Sequence, residues 1–228
     1  MVDLTASTQS DLAALVNSSV AKSGEVIAAE FQSAGRGRLD RSFEAPPESA
    51  LLFSFFLKPK RARSDWSFIS FLAAMAMHEV ISKDIADKVS LKWPNDILIG
   101  ERKVAGLLAQ QIGDGVIVGI GLNVAMNEIE LPVPTATSLA LSGSNNLDRN
   151  SLLIDFLNRL ESIYAEWESG ADFLEKYRQI SSTLGRRVRV EVLGRNPIEA
   201  EAVAITAQGA LILRDGFEVN VGDVVHLR

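Results

Sequence analysis

Val89-Ser90-Leu91-Lys92-Trp93, Pro94-Asn95-Asp96, Ile97-Leu98-Ile99, Gly100-Glu101-Arg102, then Lys103 to Ile112, Gly113-Asp114-Gly115 and Val116 to Val124: the reading of this run decides the fold. The first five residues alternate, with Val89, Leu91 and Trp93 on one face and Lys92 on the other. Pro94 interrupts the pattern and Asn95-Asp96 marks a bend. Apolar residues resume at Ile97, Gly100-Glu101-Arg102 reads as a hairpin turn, and two further strands follow around Gly113-Asp114-Gly115. Strands joined by short turns form an antiparallel meander, so the expected class is α+β rather than doubly wound.

A lysine amid Val89, Leu91 and Trp93 is unusual in the strand of a buried sheet. Lys103 opens the next strand but one, so both ammonium groups are expected to reach one cleft. Asp96, near the strand end, is placed to steady a lysine or hold a cation. Ala105 and Gly106 leave room for a ligand over the sheet. An ordinary surface ion pair is the other reading of these charges.

Upstream lies a second unusual stretch, Gln32-Ser33-Ala34-Gly35-Arg36-Gly37-Arg38-Leu39-Asp40-Arg41-Ser42-Phe43. Glycine permits positive φ and close backbone approach. Successive N–H groups in such a loop converge on anions, and arginine forks match carboxylate and phosphate. The stretch therefore reads as a mobile loop closing over a negatively charged ligand, or as a solvated or RNA-binding Gly-Arg tract. It is not the dinucleotide fingerprint, because Asp40 stands at the third glycine position.

The remaining elements follow from spacing. Leu12, Leu15, Val16 and Val20 share a helical face, with Ser7 or Thr8 as cap and Gly24 as stop. Val26 to Phe31 is a strand. Leu51 to Leu57 is apolar on both faces and reads as a central strand. Ser64 caps a helix expected over 65–85, and Asp148 caps another through Trp167. A further helix covers 171–182. After Gly185 the chain turns to short strands, 188–192, 200–206, 210–214 and 224–227, separated by glycine turns. About 44 residues of this kind are marginal alone and are expected to pack, as a small barrel, on the main domain. The domains are thus drawn at 1–184 and 185–228.

Composition narrows the chemistry. The chain has 228 residues, 47% hydrophobic, with a net charge of −6. An acidic balance argues against bulk nucleic-acid binding. With no cysteine, disulfides, thiolate metal sites and a cysteine nucleophile are excluded. His78 and His226 are the only histidines, too few for a multi-histidine metal site. No signal peptide or membrane-length apolar run is seen, so a cytoplasmic protein is expected.

Four motifs, in order, resemble the biotin–protein ligase family: Gly35-Arg36-Gly37-Arg38; Lys92-Trp93-Pro94-Asn95-Asp96; Arg102-Lys103-Val104-Ala105-Gly106-Leu107-Leu108; and Gly119-Ile120-Gly121-Leu122-Asn123. Gly209-Ala210-Leu211-Ile212-Leu213 resembles that family's C-terminal part. The resemblance implies a class II synthetase-like catalytic domain with a mixed, largely antiparallel sheet, and a C-terminal SH3-like β-barrel. It implies that ATP and biotin form biotinyl-adenylate, and that a lysine of a biotin carboxyl carrier protein domain of a carboxylase then takes the biotinyl group.

Carried over by motif, Ser7, Thr8, Gln9, Gln32, Arg36, Gly37, Arg38, Lys103, Gly106 and Leu108 would contact biotin. Arg38, Arg41, Phe43, Asn95, Gly121 and Asn123 would contact the nucleotide, with Asn123 at the adenine. Arg38, Lys103, Lys92 and Asp96 would be catalytic, and Mg2+ would ride on the ATP phosphates with Asp96 as a possible ligand. The chain departs from the family's pattern at Gln9, often asparagine, and at Phe43, usually tryptophan. No helix-turn-helix segment precedes the catalytic pattern, so a repressor role, nucleic-acid binding and membrane association are not expected; a monomer or weak homodimer is. A lipoate–protein ligase and a noncatalytic nucleic-acid-binding regulator are the competing readings.

Overall fold

The central strand β3, Ala50–Leu57, is buried at all eight positions. Leu51, Phe53, Phe55 and Leu57 enter the main core, whereas Phe56 packs with Leu12 and Ile117 on the opposite side. Two covered faces explain why the segment is apolar throughout rather than alternating. The computed structural model describes residues 1–38, 41–192 and 196–227. Leu39 and Asp40 of the Gly-Arg stretch, and Arg228 at the end of the predicted second domain, lie outside the described residues.

The chain runs β1 (Val2–Thr5), α1 (Thr8–Asn17), β2 (Val26–Gln32), β3, a 3-10 turn (Arg63–Phe68), α2 (Ile69–Ile81), β4 (Val89–Lys92), β5 (Asp96–Ile99), β6 (Arg102–Ile112) and β7 (Gly115–Asn123). Then come α3 (Arg149–Glu168), α4 (Leu174–Ile180), β8 (Arg187–Glu191), β9 (Ile198–Ile205), β10 (Leu211–Leu213), β11 (Glu218–Val219) and β12 (Asp223–His226). The first sheet has the order β1-β2-β3-β7-β6-β5-β4. Only its β1–β2 pair is parallel, so the sheet is mixed and largely antiparallel, as the meander predicts. The second sheet, β11-β10-β9-β8-β12, is antiparallel.

Helices α2 and α3 cover one face of the first sheet, with Phe53 and Phe156 meeting edge to face at 5.1 Å. Helix α1 covers part of the other face and leaves the rest open. Both sheets contribute to one core, and Trp93 is one of the residues that tie the two parts together. Its backbone N–H donates to Thr183 Oγ1 (3.0 Å) and its indole N–H to the Gly209 carbonyl (2.9 Å). A Cβ at Gly209 would lie 2.4 Å from the Phe71 ring, which is why the seam needs glycine there.

Several boundaries differ from the sequence reading. Helix α1 stops at Asn17, not Gly24, because the Ser18 hydroxyl donates to the Ala14 and Leu15 carbonyls and ends the ladder. Ser7 is its N-cap residue but makes no side-chain cap bond. The helix expected over 65–85 begins as a 3-10 turn, where Trp66 donates its indole N–H to the Arg61 carbonyl (2.9 Å), and ends at Ile81. The helix expected over 171–182 is shorter, Leu174–Ile180. Strands β1 and β11 were not anticipated; β1 is exposed at three of its four residues and so carries no alternation.

Candidate active site

Strand register builds the floor of the site. Lys92 pairs with Asp96, Asp96 with Gly106, Gly106 with Gly121, and Gly121 with Leu52. The next row is Leu108, Gly119 and Ser54. Residues in one cross-strand row share a face, so Lys92, Asp96, Gly106 and Gly121 line one side of the sheet. That side borders a cavity of about 260 Å³. Its glycines are spaces for side chains rather than flexible joints. A Cβ on Gly106 would meet Lys103 Nζ at 3.0 Å, one on Gly119 would meet Gln9 Oε1 at 2.8 Å, and one on Gly121 would meet the Phe43 ring at 2.5 Å.

The start of α1 and the end of β2 form a polar corner. Gln32 Oε1 accepts from the Thr8 N–H (2.8 Å) and from the Thr8 hydroxyl (3.0 Å), and the Thr8 and Ser54 hydroxyls lie 2.8 Å apart. Ser7, Thr8 and Gln9 are each 3% exposed. Gln9 Nε2 is buried with no hydrogen-bond partner. A buried amide N–H without an acceptor is costly, which singles out Gln9 within the polar corner.

The Gly-Arg loop is the roof. Arg36 and Ser42 form an antiparallel bridge, and Gly37 N–H donates to the Arg41 carbonyl at 2.7 Å. Phe43 N–H donates to the Gly35 carbonyl, and a Cβ on Gly35 would stand 2.2 Å from the Phe43 oxygen. Close approach, not positive φ, is what these glycines supply: neither Gly35 nor Gly37 is among the left-handed glycines. The Phe43 ring lies against Gly121, two residues along β7 from Gly119, which borders Gln9 of the polar corner.

Five cationic side chains among the described residues line the cavity: Arg36, Arg38, Arg41, Lys92 and Lys103. Lys103 Nζ lies 2.6 Å from Asp96 Oδ1, the pairing expected from sequence. Arg38 Nη1 reaches Asn95 Oδ1 (3.4 Å), the Gly222 carbonyl (3.2 Å) and Asp223 Oδ1 (3.6 Å), and Arg41 pairs with Asp223 Oδ2. Burial pushes the Arg38 guanidinium below its usual value, while Asp223 and Asp96 pull it back and Arg41 adds to the depression. It stays a cation, poorly hydrated and suited to an anionic ligand. Beneath the floor, burial first, then Lys92 and Arg186, press His226 down to about 4. Neutral at pH 7, its Nε2 shares a hydrogen bond with the Thr183 hydroxyl at 3.1 Å.

Every site residue named from sequence borders this cavity except Asn123. Asn123 is buried at the end of β7, its Nδ2 donating to the Thr137 carbonyl (2.9 Å), and does not line the cavity. Asp96 is taken by Lys103, and no group of three or more acidic or histidine side chains able to hold a metal occurs among the described residues. The sequence reading missed Phe53, Ser54, Glu191, Asp223, Val224 and Val225. Three of these come from β12, whose approach to the loop has no signal in local sequence.

Residues 1–127 match the model of the biotin/lipoate A/B protein ligase family, and residues 183–227 that of the biotin protein ligase C-terminal domain. The chain is 37% identical to a biotin--[acetyl-CoA-carboxylase] ligase of Mycobacterium tuberculosis, over all of this chain and 88% of that protein. It is 33% identical to a bifunctional ligase/repressor of Escherichia coli, over 86% of this chain and 63% of that one. The structure of a biotin protein ligase from Aquifex aeolicus in complex with biotin and ATP superposes with a TM-score of 0.82 at 28% identity, covering all of this chain and 97% of that one. The chain therefore belongs to the biotin/lipoate A/B protein ligase family, and within it to the biotin protein ligases. No helix among the described residues is long and apolar enough to cross a membrane.

Proposed function

We propose that this protein is an ATP-dependent biotin–protein ligase that makes biotinyl-adenylate in the cavity over the first sheet and passes the biotinyl group to a lysine of a biotin carboxyl carrier domain. The observation that carries this reading is the division of one cavity into a neutral polar corner and a cationic roof. A ureido ring fits the corner, where Gln9 Nε2 awaits an oxygen acceptor and Thr8, Gln32 and Ser54 supply paired polar atoms. Lipoate has no ureido group and would leave the Gln9 amide unsatisfied, which favours biotin over the lipoate reading.

The chemistry then follows from charge. A carboxylate oxygen must attack an α-phosphorus that carries like charge. Lys103 and Arg38, both lining the cavity, hold the two anions together, and Arg36 and Lys92 add to the positive field. Catalysis here is positioning and electrostatic stabilisation, without a protein nucleophile. The carboxylate oxygen–phosphorus bond forms as the bond from the α-phosphorus to the bridging oxygen breaks, and pyrophosphate leaves with that electron pair. In the second step the carrier amine attacks the acyl carbon and AMP leaves. Asp96, which borders the cavity, is the carboxylate that would share a magnesium ion with the ATP phosphates, where the ion would offset the charge of departing pyrophosphate. The Gly-Arg loop covers the mixed anhydride and keeps water from it. Phe43 and Gly121 mark the nucleotide end, and Asn123 would need to leave the Thr137 carbonyl to reach an adenine. Residues 1–184 form the catalytic part and 185–228 the small β part that walls it.

Incubation with ATP, Mg2+, biotin and a purified carrier domain tests this, with intact mass as readout. A single biotinyl addition, undiminished by equimolar lipoate, is expected. Lipoyl transfer in its place, or no transfer by folded protein, would overturn the reading.

A further inference from the structure

Arg38 and Arg41 do not project freely into the cavity. Both engage one carboxylate, Asp223, at the start of β12. Arg38 also donates to the neighbouring Gly222 carbonyl at 3.2 Å. The Arg38 and Asp223 side chains are 19% and 18% exposed, so this is a partly buried pair rather than a solvated one. Asp223 Oδ2 is closed off from solvent and, beyond the ion-pair contact with Arg41, makes no hydrogen bond of normal geometry. An acidic side chain thus stands on the wall of a cavity built to attract anions, at the point where two of its cations converge.

We propose that Asp223 is a positioning residue that occupies the phosphate's place: it holds Arg38 and Arg41 while the site is empty and yields them to the phosphates of the incoming nucleotide. The identity of the anion rests on the adenylation reading; the arginine–carboxylate geometry does not. Two opposing effects support the exchange. Leaving a partly buried guanidinium unpaired is costly, so the empty site needs a counter-charge. A second anion brought beside that carboxylate is repelled, so the carboxylate must release the arginines when phosphate binds. After the first step, the returning carboxylate helps to expel pyrophosphate.

The direction of the expected effect separates this role from a structural one. Asp223→Asn removes the competing charge and frees both arginines, so calorimetric titration with inorganic pyrophosphate should show binding at least about threefold tighter than in the parent. Damage to the fold would weaken it. Asp223→Glu should behave as the parent does. Trypsin should cut after Arg38 or Arg41 faster in ligand-free Asp223→Asn, with pyrophosphate restoring protection. Hydrogen exchange on the unmodified protein needs no variant: pyrophosphate should slow exchange across the loop yet speed it at residues 222–224. Unchanged or weaker pyrophosphate binding by a folded Asp223→Asn, or slowing at both segments, would overturn the proposal. A parent protein that binds pyrophosphate but makes no adenylate would instead count against the adenylation reading and leave this one standing.

Discussion

The floor and the roof of the cavity are held by different forces. The floor is a row of residues fixed by strand register, Lys92, Asp96, Gly106 and Gly121, held in a continuous ladder from β4 to β7. The roof is a loop held by a short bridge and by arginines paired to a distant aspartate. One is preorganised by the sheet; the other is poised to trade partners. A ligase needs both, because positioning favours rigidity while entry of two substrates and exit of two products require a cover that moves.

The largest expected effect lies on the floor. Lys103→Ala removes one preorganised charge at the reacting carboxylate and should cost on the order of 3 kcal/mol, or about a hundredfold in adenylate formation. Thermal unfolding should move little, since the Lys103–Asp96 pair is well exposed on the lysine side. Near-normal turnover would show that the floor's charge is dispensable. Gly121→Val comes next. The new side chain enters the space of the Phe43 ring, so the roof is forced off the floor; ATP affinity should fall by about tenfold or more while biotin affinity in the absence of nucleotide holds. Equal loss of both ligands would mean that the two ends of the cavity are not separate.

How much of this was legible in the sequence differs between the same two regions. The floor could be read because a sheet has a period of two: Lys92 opposite Leu91 and Trp93 names its face, and glycines at 106 and 121 in apolar strands leave room for a ligand. The loop could be read from composition. The roof's anchor could not. Asp223 sits in Val221-Gly222-Asp223-Val224, which reads as a turn entering a strand, and only the packing of β12 beside the loop gives it a role. Gln9 was named by motif as a biotin contact, but that its amide is buried and unpaired shows only in the fold. Asn123 was placed by motif, but the backbone turns it toward Thr137. Long-range placement of this kind is set by tertiary contacts that local pattern does not carry.

Smaller effects sharpen the contrast. Phe43→Ala should weaken binding of a nonhydrolysable ATP analogue by about tenfold, roughly the worth of one aromatic contact, with biotin titration unchanged. Phe43→Trp should be tolerated. If Phe43→Ala leaves nucleotide affinity as it was, the ring is only a loop anchor. Smallest is a pH effect at the seam. Folding lowers the His226 value from 6.5 to about 4, so the unfolded chain takes up a proton that the folded one refuses. Stability from this group is complete above about pH 6.5 and declines as pH falls toward 4. His226→Gln keeps an acceptor for Thr183 and should flatten that part of the Tm-against-pH curve; an unaltered curve would remove His226 from the account.

The central claim is that a neutral corner and a cationic roof, sharing one cavity, join biotin to AMP. It is tested most directly by mixing the protein with biotin, ATP and Mg2+ without any carrier, quenching, and measuring biotinyl-adenylate by mass against pyrophosphate released. The account predicts the adenylate and pyrophosphate in equal amounts, close to one per protein molecule, held by the parent and lost to solvent by Arg38→Ala. Pyrophosphate without adenylate, or adenylate retained equally by Arg38→Ala, would contradict it.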